Sequence, residues 1–320
     1  MKIAVCMYGL LRTYKETASS LKKHVLDVND ADLFIFSPNK AGGLSIPEGV
    51  DINLYKSENK KNICKMDNDG DLIAKDDLFN IYGGKLKGIN LYDAQAIKFT
   101  QDFSDIAMND ILIPERVLSL FYNMSGAVKL ALNSNVNYDA IVLLRPDLAF
   151  YSPLNVDLLN LDEVHIPLGG GKLNDGKEDM PCYYVGYYKN TERGELIRAH
   201  THMFTDQLIV FGKDCFKNIE SIYDDLSTFL SRGVPFHPET LLFYGLPYLS
   251  NKKVNIHEEW LYEIFRNNTR LIENDDILIK YRLSNELASL NKNIGESAVL
   301  TFKYRVKRKI KHVLRKLLKL

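Results

Sequence analysis

Short unbroken blocks of apolar residues recur at 2–7 (Lys-Ile-Ala-Val-Cys-Met), 32–37 (Asp-Leu-Phe-Ile-Phe-Ser), 140–144 (Ala-Ile-Val-Leu-Leu) and 205–212, where Thr-Asp-Gln precedes Leu-Ile-Val-Phe-Gly. Blocks this short, without polar alternation, suit strands buried on both faces of a largely parallel sheet. One long stretch differs. Val117, Leu118, Phe121, Met124, Ser125, Val128, Leu130, Ala131 and Leu132 recur at helical spacing, and Pro114 with Glu115 suits a first turn, so a helix is expected over 114–132. A helix to about Val28 should link the first two strands as a right-handed crossover. Further along, the pattern predicts a short strand at 163–167, helices at 216–230 and 238–244, and a strand and turn over 253–262 that carries Trp260. Strands alternating with helices make this an α/β chain with a mixed, mostly parallel central sheet.

The stretch 138–150 organises the rest. Its apolar block ends at Arg145-Pro146-Asp147. Proline cannot donate to a central ladder and steers the preceding residue away from helix, so the strand should stop there. Two charged side chains are thereby delivered to the carboxyl end of a buried strand, the edge where open α/β sheets bind ligands. The plainer alternative is a turn in which Asp147 bonds nearby amides. Gly9 and Arg12 follow the first strand in the same way. Gly9 suits a tight turn beside a ligand, but the further glycines of a dinucleotide motif are missing. Asp206 and Gln207 open the strand near 208, and Glu239 sits in the first turn of a later helix, where favourable placement in the helix dipole would explain it equally well.

Other patterns are weaker. Residues 38–110 are rich in Asn, Lys, Asp and Gly and read as a polar surface excursion, with a short strand near 50–55. The stretch 65–76 resembles a calcium loop around Gly70, but Lys65 stands where the first carboxylate belongs. Gly169-Gly170-Gly171 lacks the Lys-Ser/Thr of a phosphate loop. His200 and His202 have no partners that would complete a zinc site.

The four cysteines, at 6, 64, 182 and 215, have neither metal-ligand nor disulfide-framework spacing, which suggests a reducing cytoplasm. The opening apolar run is too short for a signal peptide, and no stretch reaches the length of a membrane span. Charge changes the picture more. The 41 Lys and Arg balance 41 Asp and Glu, yet nine of the bases and none of the acids lie from Lys303 onward, leaving 32 bases against 41 acids before it. In that tail Phe302, Val306, Ile310, Val313, Leu314, Leu317 and Leu318 form one stripe of a helix whose other face is basic. Such a helix fits an anionic membrane surface. A basic arm for nucleic acid is the competing reading, but phosphate binding gains nothing from exposed leucines, so nucleic acid is not expected.

Taken in order, residues 6–12 (Cys-Met-Tyr-Gly-Leu-Leu-Arg), 32–37, the helix and strand ending Arg145-Pro146-Asp147, and Asp206-Gln207 before an apolar strand resemble GT-A-type glycosyltransferases of bacterial and viral surface polysaccharide biosynthesis. The resemblance covers roughly residues 1–37 and 112–250. It implies a Rossmann-like, nucleotide-sugar-binding domain over 1–300, with 38–110 as a variable insert and 301–320 as the membrane-associating helix. Tyr8, Gly9, Arg12, Arg145, Asp147 and Gln207 would then border the donor. Asp206 would act as the catalytic base or bind the acceptor, with Glu239 second in line. The acceptor would be a glycan, commonly lipid-linked and held at the cytoplasmic face of the inner membrane. Arg145 and Asp147 occupy the place of the family's Asp-x-Asp motif, which holds a divalent cation. Asp147 is thus the one candidate ligand for manganese or magnesium, while Arg145 could itself neutralise a diphosphate. Metal dependence stays open on these residues. The missing first carboxylate also leaves room for a non-catalytic protein that keeps the sheet and only scaffolds a glycan assembly.

Overall fold

Strands β1 (Ile3–Tyr8), β2 (Asp32–Pro38) and β4 (Ala140–Leu144) pair in parallel at the centre of the sheet, with β1 between the other two. The computed structural model describes residues 1–42, 71–97, 114–167, 183–190, 195–202, 205–234, 236–257 and 259–265. All of them lie in one compact unit. Seven strands form the main sheet in the order β10, β6, β9, β4, β1, β2, β3, where β3 is Leu86–Tyr92, β6 is Val164–Pro167, β9 is Leu208–Gly212 and β10 is Val254–His257. Only β9 runs against its neighbours, β4 and β6. The sheet is therefore mixed and mostly parallel, as the apolar blocks predict.

Both faces are covered, which is why the central strands read as continuous apolar runs. Successive side chains of a strand point to opposite faces. Ile3, Val5 and Met7 pack in one core with helix α1 (Tyr14–Leu21, extended by a wider turn at Lys22–Leu26) and helix α2 (Lys75–Tyr82). Ala4, Cys6 and Tyr8 enter the other core, against helix α3 (Pro114–Leu132). Gly126 allows that approach: a Cβ there would lie 2.6 Å from the Phe36 ring, so a glycine is kept where helix propensity alone disfavours one.

The expected helix over 216–230 is two helices, α4 (Phe216–Glu220) and α5 (Leu226–Ser231). Between them the Ser221 hydroxyl lies 2.6 Å from Asp225 Oδ2, the kind of local side-chain bond that competes with helix continuation. Helix α6 (Pro238–Phe243) follows as expected. The excursion assigned to 38–110 is only partly one: α2 and β3 belong to the fold, β3 as the sheet's edge strand. Two small pairs complete the described residues: β5 (Leu148–Phe150) with β11 (Tyr262–Ile264), and the hairpin β7 (Tyr183–Asn190) with β8 (Glu195–His202). The expected strand at 50–55, the first half of the calcium-like loop, the triple glycine and the tail helix lie outside the described residues.

Candidate functional site

A cleft of about 500 Å³ opens at the carboxyl ends of β1 to β4 and the amino end of the antiparallel β9. The chain order reverses here: β1 has β2 on one side and β4 on the other, the topological position at which α/β sheets bind ligands. Proline after β4 ends that strand at Leu144 as expected, and the three residues that follow are each fixed by a backbone bond. The Arg145 amide donates to the Gln207 carbonyl at 3.0 Å, the Thr17 hydroxyl donates to the Pro146 carbonyl at 2.7 Å, and the Phe265 amide donates to the Asp147 carbonyl at 2.7 Å. Strand β9, helix α1 and the segment after β11 thus hold one turn from three sides.

The fixed turn aims Arg145 and Asp147 at each other. Arg145 Nε lies 2.9 Å from Asp147 Oδ1 and Nη2 lies 2.6 Å from Oδ2, a two-point ion pair in which Asp147 is only 2 % exposed. Asp206 approaches the same guanidinium from β9, its Oδ2 3.6 Å from Nη1. Burial opposes the Arg145 charge, but the neighbouring carboxylates outweigh it and hold its pKa above the usual arginine value. The Asp206 carboxyl is pushed up, first by burial; Arg145 pulls against this, while Glu239 and Asp147 add to it. Such a group takes a proton more readily than an exposed aspartate. Tyr8 lies under the pair, and its hydroxyl donates to the Asp206 carbonyl. Burial and then the Asp206 charge push the phenol pKa well up, so it stays a neutral donor.

Tyr8, Gly9, Arg12, Arg145, Asp147 and Asp206, brought from three distant segments, all border the cleft. Gly9 has φ +91° and donates its amide to the Phe36 carbonyl at 3.2 Å. Its requirement is conformational, since a Cβ would meet nothing within 4 Å. Gln207 is a support: its Oε1 accepts from the Tyr262 hydroxyl at 3.1 Å, and it does not line the cleft. Glu239 stands beside the cleft, near enough for its charge to act on Asp206, and pairs with His237 Nδ1 at 2.8 Å.

The opposite end of the cleft was not legible in the sequence. Tyr92, Gln95, Arg116, Ser119 and Asn123 line it from β3 and the amino-terminal half of α3. The Tyr92 hydroxyl donates to Asn123 Oδ1 at 3.1 Å, and Asn123 Nδ2 donates to the Ser119 carbonyl at 2.6 Å. The available signal was Asn123 itself, a polar residue between Phe121 and Met124 on the buried face of α3.

The donor set does not suit a divalent cation. Both Asp147 oxygens lie against the guanidinium, and among the described residues no three His, Cys, Asp or Glu side chains are grouped so as to hold a metal. The assignment of manganese or magnesium to Asp147 therefore does not fit this geometry. Cys6 and Cys215 are buried free thiols, and burial raises both of their pKa values, which makes them inert rather than nucleophilic. Among the described residues no helix is long and apolar enough to cross a membrane. The chain matches no known family model, and no curated protein matches it in sequence.

Proposed function

We propose that this chain is a nucleotide-sugar-dependent glycosyltransferase with a GT-A-like domain, acting on a glycan acceptor in surface polysaccharide biosynthesis. The observation that carries the reading is the meeting of Arg145, Asp147 and Asp206 in one cleft at the switch point of a mostly parallel sheet. A scaffold that only retained the sheet would have no need of buried charges directed into a cleft. The two ends of the cleft match the two halves of a nucleotide-sugar. The end that includes Tyr92, Ser119 and Asn123, with Arg116 beside them, offers hydrogen-bonding groups to a base and ribose, and the Arg145 end offers a cation to a diphosphate.

In the transfer, the acceptor hydroxyl oxygen bonds to the anomeric carbon, the bond from that carbon to the diphosphate oxygen breaks, and the nucleoside diphosphate leaves with the electron pair. Arg145 stabilises the charge that develops on the leaving group. Asp206 takes the acceptor proton, a role suited to a carboxylate whose pKa lies above its ordinary 3.8. On this reading the tail at 302–320 docks on an anionic membrane at the cytoplasmic face, beside a lipid-linked acceptor.

The test is a thermal-shift screen of UDP-, GDP-, CMP- and dTDP-sugars on the full chain. A ligand that binds only the folded state stabilises it by about 2.7 kcal/mol at a hundredfold excess over its Kd. The expected result is a rise in Tm with one nucleotide class, lost in Arg145→Ala. No rise with any of the four, in folded protein, would sink the proposal.

A further inference from the structure

The Arg145 guanidinium has two edges in different states. The Nε/Nη2 edge is closed by the two oxygens of Asp147. Guanidinium carries five N–H donors in a fixed plane, so the Nη1/Nη2 edge keeps a second fork of the same geometry. Arg145 lines the cleft, and on the side of that fork the Asp206 carboxylate stands off, its Oδ2 3.6 Å from Nη1. The two aspartates thus differ in kind. Asp147 is 2 % exposed and gripped at two points, whereas Asp206 is 23 % exposed and touches the arginine loosely through one oxygen.

We infer that the open edge of Arg145 is a phosphate-binding fork that works without a divalent cation, Asp147 orienting it and Asp206 occupying it until an oxyanion displaces the carboxylate. The inference rests on the glycosyltransferase reading and names how that site takes the diphosphate. The geometry matches the recognition: a planar fork meets two phosphate oxygens in two parallel charge-assisted bonds. A metal would have to share Asp147 oxygens that the guanidinium already engages at two points, and so sit beside another positive charge. The arrangement also orders events. Once a diphosphate takes the fork, Asp206 loses its positive neighbour and stands beside new negative charge, both of which favour its protonated form. The base becomes stronger after the donor has bound.

The two aspartates therefore have opposite effects on binding. The experiment titrates UDP, GDP, dTDP and inorganic pyrophosphate into the full chain by calorimetry, once in EDTA and once in manganese, for the wild type and three variants. Expected for the wild type is a Kd for its nucleotide that agrees within about threefold between the two conditions, as fits a site whose cation is a side chain. Asp206→Asn should bind pyrophosphate several-fold more tightly, about three- to tenfold, because it removes the competing charge. Arg145→Lys and Asp147→Asn should each weaken it by about tenfold or more, since both spoil the fork. Binding that appears only with manganese would overturn the inference and leave the transferase reading standing. Equal weakening by Asp206→Asn and Asp147→Asn would also overturn it, since that is the behaviour of two cation ligands. No binding of any probe in either condition would overturn the transferase reading as well. The EDTA comparison uses the unaltered protein, so the result does not depend on whether Asp147→Asn folds.

Discussion

The sheet carries two clusters of buried titratable groups, and they are built to opposite ends. One is Arg145, Asp147 and Asp206 at the junction of β4 and β9. The other lies at the far edge, on β6 and β10. There His165 Nε2 sits 2.8 Å from the Asn160 carbonyl, His165 Nδ1 sits 2.9 Å from His257 Nε2, and His257 Nδ1 sits 2.5 Å from Glu259 Oε1. A carbonyl can only accept, so His165 carries its proton on Nε2 and presents a bare Nδ1, to which His257 must donate. The His257 ring also stacks on Trp260, with centroids 4.2 Å apart and planes 5° from parallel. Every ring nitrogen in this cluster has a partner within the protein. In the arginine cluster Arg145 lines a cleft, and its Nη1 is met by Asp206 at a loose 3.6 Å. Perturbed ionisation therefore does not by itself mark a site here, since burial shifts groups in both clusters. What separates them is unfinished hydrogen bonding that opens onto space a ligand can enter.

This contrast can be broken by removing one group from each cluster. Asp147→Ala should have the largest effect, because it strands a mostly buried guanidinium. A loss of roughly 3–5 kcal/mol in urea unfolding is expected, together with loss of the nucleotide-dependent thermal shift. A loss below about 1 kcal/mol would show that the arginine finds water or another partner easily and that the turn is not held as described. His257→Leu should cost about 1–3 kcal/mol, the desolvation of the His165 nitrogen and the loss of the Glu259 contact. Its thermal shift with nucleotide should match that of the wild type. If His257→Leu abolished ligand binding while still folding, the division into a site and a structural cluster would collapse.

The same contrast explains what the sequence could and could not reveal. Central strands were legible because both of their faces are covered, and the turn at Arg145-Pro146-Asp147 because proline has one local meaning wherever it follows a buried run. Arg145, Asp147 and Asp206 could be named in advance, since each is a charged residue at the end of such a strand. Their mutual geometry could not, because Arg145 and Asp206 are 61 positions apart in the numbering and meet only through the antiparallel pairing of β4 with β9. Strand β3 was hidden for a related reason: as an edge strand with most of its residues partly exposed, Leu86–Tyr92 lacks the continuous apolar run of its neighbours. The far wall of the cleft went with it, because Tyr92 lies on β3 and bonds to Asn123 on α3. Trp260 stood out as the sole tryptophan, yet nothing in the sequence tied it to His257, since stacking depends on a turn that composition does not specify. Glu239 was placed correctly in a first helical turn, but its nearness to Asp206 comes from tertiary packing.

The finest test of the contrast is a pH dependence. Burial, with a smaller contribution from His257, lowers the His165 pKa from its ordinary 6.5; the Asn160 carbonyl and Glu163 oppose the shift. Lys253, which pairs with Glu163 at 3.2 Å, is the nearby cation on β10's approach, and Glu259 closes the other end through His257. For a base with a depressed folded pKa the sign is fixed. Above 6.5 both folded and unfolded states are neutral at this position, and its contribution to stability is complete. As pH falls below that value the unfolded chain takes up a proton that folded His165 refuses, and stability declines until the lower folded pKa is passed. His165→Gln keeps an N–H for the Asn160 carbonyl and an oxygen for His257, but it cannot titrate. Urea unfolding at a series of pH values from neutral to mildly acidic should therefore show a stability decrease in the wild type that is shallower in the variant, by about 1 kcal/mol or less at the acid end. Histidines outside this pair contribute to both proteins and cancel in the difference, while His257, coupled to His165, belongs to the effect measured. Equal slopes would mean that folded His165 takes up its proton as readily as the unfolded chain does, so that burial does not hold it neutral. Nucleotide binding should be unmoved in either case, because a fully satisfied network at the edge of the sheet has no open group to offer a ligand.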